Sequence, residues 1–157
     1  MPADSSTKIL ICFDGSDRAA HAIAVAGQLF PGAEATIVHV WETIEHIVAR
    51  YAALAPYLGE SIGEADASAE QQSGSVAQDG AKLAEQAGLR ATARNATLTT
   101  SVWEAVLDVA EAQGAGVVIT GTRSLKGVRE VLAGTLSHAL LQHSHIPLLA
   151  IPSHETD

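Results

Sequence analysis

The stretch with the most chemical potential runs Gly121-Thr122-Arg123-Ser124-Leu125-Lys126-Gly127-Val128-Arg129-Glu130-Val131-Leu132-Ala133-Gly134-Thr135-Leu136-Ser137. Glycine lets a backbone approach a ligand closely. Hydroxyls and main-chain amides at the head of a following helix can converge, with the helix dipole, on phosphate oxygens. Phosphate binding is one reading of this segment. The other is an ordinary loop of an α/β fold, with turn glycines and Thr135 as a helix cap, and the residues alone leave both open. A second candidate is Asp14, which follows an apolar run and precedes Gly15-Ser16. It reads either as a ligand-facing carboxylate or as a turn acid.

Several other chemistries are not supported. No G-x-x-x-x-G-K-[ST] string occurs, because Lys126 precedes Gly127 and no hydroxyl residue follows it, so a Walker-type ATPase is not supported. Gly114 and Gly116 precede a strand rather than follow one, which argues against a dinucleotide fingerprint. His138, His143 and His145 are the nearest approach to a metal cluster, but five residues along a helix turn the first two apart by roughly 140°. Ser137-His138 has no nucleophile elbow, and adjacent helical residues cannot face each other, so a hydrolase triad is not indicated.

These residues need elements to position them. Lys8 to Phe13 is a short continuous apolar run, the pattern of a strand covered on both faces. Ser16 then caps a helix to about Leu29, with Ala20, Ile23, Ala24 and Gly27 on one face and Pro31-Gly32 as its stop. Thr36 to Trp41 gives a second strand. From Glu42 to about Gly74 no period is sustained, and this stretch reads as a mobile acidic loop with a short helix near Ile44 to Leu54. Val76, Gly80, Leu83, Ala84 and Ala87 recur at helical spacing before Gly88. Ala91 to Leu98 alternates as a strand, and Ser101-Val102-Trp103-Glu104 fits a capping box ahead of a stripe formed by Val102, Ala105, Val106, Val109 and Ala110. Gly116 to Thr120 is a further strand, Leu132, Leu136, Leu140 and Leu141 mark a last helix, and Ile146 to Ile151 a last strand. Such alternation predicts one α/β domain, with its core over about residues 7–152, around a parallel sheet with right-handed crossovers. Asp14 and Gly121 then fall at carboxyl ends of strands, where open sheets of this kind bind ligands.

Composition narrows the partners. A length of 157 residues suits one domain that buries roughly two-thirds of its unfolded surface. Eighteen acids against nine bases give a net charge of −9, a field that repels nucleic acid and anionic lipid surfaces. No apolar run approaches the ~18 residues of a membrane span, and the amino terminus lacks a secretory pattern. The lone cysteine, Cys12, reads as a small buried strand residue in a reducing compartment, and a cytoplasmic location is expected.

The glycine, two residues, Ser124, nine residues, Gly134-Thr135 arrangement resembles the nucleotide loop of ATP-binding universal stress proteins, with Ser124 where that family has glycine. The similarity runs from the Lys8-to-Ser16 strand and turn, through His39-Val40, to Ile146-to-Pro152. It implies a Rossmann-like, adenine nucleotide alpha hydrolase-like fold: a single open five-stranded parallel sheet of order 3-2-1-4-5 with helices on both faces. It also implies that Asp14 and the Val40 backbone hold adenine, with Cys12 and Phe13 lining the same pocket. Gly121, Arg123, Ser124, Gly134, Thr135, Leu136 and Ser137 would contact ribose and phosphates, and Mg²⁺ or Mn²⁺ would bridge phosphate oxygens without protein side-chain ligands. The ligand implied is ATP, with ADP or AMP as alternatives, in a stress-response regulator with slow or no hydrolysis. An exposed apolar edge at Ile146 to Ile151 suits a homodimer, and the family resemblance implies the same, together with an unidentified signalling partner. Substitution of the loop glycine by Ser124 supports a second expectation, a dimeric interaction module that binds no nucleotide.

Overall fold

The computed structural model describes residues 7–50, 62–122 and 136–153. Five parallel strands form one sheet: β1 (Lys8–Cys12), β2 (Glu34–Trp41), β3 (Arg90–Thr97), β4 (Val117–Thr122) and β5 (Leu148–Pro152), in the order β3-β2-β1-β4-β5. The strand order reverses between β1 and β4, and the expected topology is the one observed. Helices α1 (Asp17–Leu29), α2 (Ile44–Arg50), α3 (Ile62–Gln86), α4 (Val102–Gln113) and α5 (Leu136–His143) complete the described elements.

Alternation along β1 explains its continuous apolar character. Ile9, Ile11 and Phe13 face one layer with α1 and α3, while Leu10 and Cys12 face the other with α4 and α5. Ile9, Leu10 and Ile11 are at most 1% exposed, so β1 is the centre of both cores.

Helix α1 begins where Ser16 Oγ accepts from the Ala19 amide at 3.2 Å. Its buried stripe is Ala19, Ala22, Ile23, Ala26 and Gly27. The stripe is rotated from the expected one, so that Ala24 is exposed and Ala20 only partly covered. Helix α4 starts with Ser101 Oγ accepting from the Glu104 amide at 3.3 Å and ends at Gly114, with φ of 67°. Its buried residues are Ala105, Val106, Leu107 and Ala110, whereas Val102 is 41% exposed.

The largest departure from the sequence expectation is α3. Residues Ile62 to Gly74, expected to be loop, are the first half of a 25-residue helix. Packing extends the helix: Ser73 continues toward the first half the stripe of small residues, Ala77, Gly80, Ala81 and Ala84, that lies close against the sheet. The approach is tight enough that a Cβ on Gly80 would stand 2.6 Å from Phe13 Cδ1 and 2.7 Å from Ile37 Cγ2.

Candidate functional site

All five strands run the same way, so Asp14, the His39–Trp41 end of β2 and the Thr120–Thr122 end of β4 lie along one edge of the sheet. The Phe13 amide donates to Val38 O at 2.9 Å, which carries the β1–β2 pairing up to the residue before Asp14. Gly15, at φ of 83°, turns the chain sharply out of the sheet and into α1.

Asp14 is exposed, and its Oδ1 accepts from the Ser16 amide at 2.9 Å. Partial burial pushes its pKa up, but the Ser16 hydroxyl and amide, its own amide and the Arg18 charge outweigh that effect. The carboxyl is held below its ordinary 3.8. The site therefore carries a fixed negative acceptor at the switch point of the sheet.

Cys12 and Phe13 do not share a pocket through their side chains. They point to opposite faces of β1, Phe13 being 6% exposed and packed against Gly80, and Cys12 lying against the α4–α5 layer. This follows from strand alternation, which sends consecutive side chains to opposite faces of the sheet. Burial, together with the nearby Asp14 charge, pushes the Cys12 thiol up to about 12. Val40 is partly buried on that same α4–α5 side and pairs with Ala96 in β3.

At the end of β4, Gly121 has a packing reason for being glycine. A Cβ there would stand 2.7 Å from the Arg18 carbonyl oxygen and 3.3 Å from the Ala19 amide nitrogen, so the first turn of α1 rests on β4. Across the other layer, the hydroxyls of Thr120 and Ser137 lie 2.9 Å apart, joining the last helix to the strand end. The Leu136 side chain turns into the α4–α5 core. Arg123, Ser124, Gly134 and Thr135 lie outside the described residues. Among the described residues no three His, Cys, Asp or Glu side chains are grouped to hold a metal ion.

One polar feature of this edge was not anticipated. His39 Nδ1 is 2.7 Å from Ser73 Oγ, a hydroxyl from the middle of α3 that is 2% exposed. Strand parity was the available signal, since His39 must share a face with Ala35 and Ile37. Its partner stayed hidden because residue 73 was expected to be loop.

A family model, that of the universal stress protein family, matches residues 6–152. The chain belongs to that family. Universal stress protein YxiE of Bacillus subtilis (strain 168) is 25% identical over 151 residues, spanning 92% of this chain and 97% of that protein. A universal stress protein family structure from Burkholderia pseudomallei matches this universal stress protein with a TM-score of 0.69 at 20% identity, covering 97% of this chain and all of that one. The Archaeoglobus fulgidus universal stress protein in complex with dAMP matches with a TM-score of 0.62 at 12% identity, over 94% of this chain and 99% of that one. Similar folds also include a universal stress protein in complex with cAMP, with a TM-score of 0.60, and an Arabidopsis thaliana family protein with AMP bound, with a TM-score of 0.59. At these identities the likeness concerns the fold.

Proposed function

We propose that this universal stress protein binds an adenine nucleotide at the carboxyl ends of β1, β2 and β4, and acts as a stress-response regulator. The observation that carries the reading is Asp14: an ionised, exposed carboxylate at the point where the strand order reverses, where open α/β sheets take ligands. Such an acceptor, beside main-chain groups at the end of β2, suits the amino edge of a purine. Structural relatives that carry AMP, dAMP and cAMP support adenine as the base. ATP is the proposed ligand, with Mg²⁺ or Mn²⁺ held through its phosphates, and Arg123, Ser124, Gly134 and Thr135 as the proposed phosphate contacts. Slow turnover or none is part of the proposal, since Asp14 is placed at the adenine and no general base is assigned at the phosphates. No described helix is long and apolar enough to cross a membrane, and the cysteine is free, both consistent with the cytoplasmic location proposed.

A homodimer through β5 is proposed alongside. Beside that edge strand lies a shallow groove of 320 Å³, lined largely by Leu140, Leu141, Ile146, Pro147 and Leu148, and Leu141 is 72% exposed. The second reading, an interaction module without nucleotide, gains from Gly121 and Ser137, since packing against α1 and the bond to Thr120 account for both residues without a ligand.

Calorimetric titration with ATP, ADP and AMP, with and without Mg²⁺, tests the proposal. Asp14→Ala should weaken adenine nucleotide binding by about tenfold or more, the loss of one charge-assisted hydrogen bond. No binding at millimolar nucleotide by the unaltered protein would leave the module as the surviving reading.

A further inference from the structure

We infer that Thr120 and Ser137 are positioning residues for the proposed nucleotide site: their hydroxyls link the head of α5 to the carboxyl end of β4, and Ser137 acts through that link rather than by touching the ligand. The inference rests on the nucleotide-binding reading.

The two residues lie 17 positions apart in the chain, and their hydroxyl oxygens are 2.9 Å apart. They flank the proposed phosphate contacts, with Thr120 three residues before Arg123 and Ser137 two after Thr135. Thr120 is 2% exposed. By strand alternation it shares a face with Val118, in the layer that also holds Leu10, Val38, Leu136 and Leu140. A hydroxyl in such surroundings needs a partner, and Ser137 supplies it. Either oxygen can be the donor, and the link is the same in both cases.

The strand end and the helix head are fixed by different means. At β4 the ladder runs to its last residue: Thr122 pairs with Pro152, and the Ser153 amide donates to Thr122 O at 3.1 Å. Helix α5 has eight residues, too few to hold its place by helical preference alone. Its tail is located by the His143 ring, stacked on Trp103 with centroids 4.2 Å apart, and by the Ser144 amide donating to Leu140 O at 2.8 Å. Leu140 anchors the middle, fully buried. At the head, Leu136 adds apolar contact, which is non-directional and tolerates sliding. The Thr120–Ser137 bond sets a distance there, and so fixes where the helix head stands against the strand end.

The test compares Thr120→Val, Thr120→Ser, Ser137→Ala and the double variant of Thr120→Val with Ser137→Ala. Valine keeps the shape of threonine and suits the apolar layer, and Ser137, only partly buried, gives the same comparison from the helix side. Calorimetric titration with ATP and Mg²⁺ should show Thr120→Val and Ser137→Ala weakened alike, by about two- to tenfold, the double variant no weaker than either, and Thr120→Ser restored. Amide hydrogen exchange without nucleotide is the second readout. The amides of Leu140 and Leu141, which a helix bonds to the carbonyls of Leu136 and Ser137, should lose protection severalfold in Thr120→Val and regain it in Thr120→Ser, while the Ser144 amide does not change. If the unaltered protein binds ATP and Thr120→Val binds it equally well, the inference alone is overturned. Unchanged protection of Leu140 and Leu141 does the same, as does an additive loss in the double variant, the mark of a direct contact between Ser137 and the ligand. No binding by the unaltered protein removes the nucleotide reading and the inference with it.

Discussion

Replacing Gly121 by alanine separates a packing role from a ligand role at the end of β4. The added methyl would stand 2.7 Å from the Arg18 carbonyl oxygen, 3.0 Å from its carbon and 3.3 Å from the Ala19 nitrogen. All three are main-chain atoms in the first turn of α1, so no rotamer change relieves the contact, and α1 must move off the sheet. Overpacking of this kind costs about 1–3 kcal/mol. Gly121 lies outside the set of glycines with positive φ, so alanine brings no backbone strain there. Its lower unfolded-state entropy instead offsets about 0.4–1 kcal/mol. A net loss of about 1–2 kcal/mol corresponds to a fall in Tm of roughly 2–8 °C for a domain of this size. Thermal unfolding followed by circular dichroism without nucleotide measures it. Gly32→Ala is the contrasting variant: nothing lies within 4 Å, but φ is 74°, so its cost is backbone strain alone. An unchanged or raised Tm for Gly121→Ala would refute the close contact between α1 and β4, and would return that glycine to a role in ligand approach.

Cys12 should resist thiol reagents in the folded protein at pH 8, because its thiol is pushed up to about 12, and react fully once unfolded; rapid stoichiometric labelling of the native protein would contradict this. Ser101→Ala removes the acceptor for the Glu104 amide and should cost about 1 kcal/mol in urea unfolding, with the slope unchanged. Asp14, held below 3.8, contributes stability that is complete above that value and lost as pH falls through its lower folded pKa. Asp14→Asn should accordingly flatten the acid limb of the stability curve below about pH 4, and an identical acid limb in the variant would count against the Ser16 and Arg18 interactions.

The parts of the fold that could be read from residues alone were those whose burial pattern is local. β1, with both faces covered, and α4, with its serine cap and left-handed Gly114, announce themselves through runs and periods that a single element imposes. The first half of α3 does not. It lacks a sustained apolar period and its Gly and Ser residues are weak helix formers, and it forms helix because small side chains let the segment sit against β2 and β3, contacts distant in sequence. The site was legible to the same extent. Asp14 and Gly121 fell at strand ends as expected, but the His39–Ser73 pair depends on that unforeseen helix. The proposed phosphate contacts from Arg123 to Thr135 lie outside the described residues.

The glycines on and beside α1 give this helix a mechanical character. Near its start the main chain of Arg18 abuts Gly121, and near its end a Cβ on Gly27 would stand 2.3 Å from the Ala87 carbonyl oxygen just past α3. Abutted by main-chain atoms near both extremities, α1 serves as a strut rather than a lever. Any rearrangement at this edge of the sheet then falls to the neighbours of α1 rather than to α1 itself.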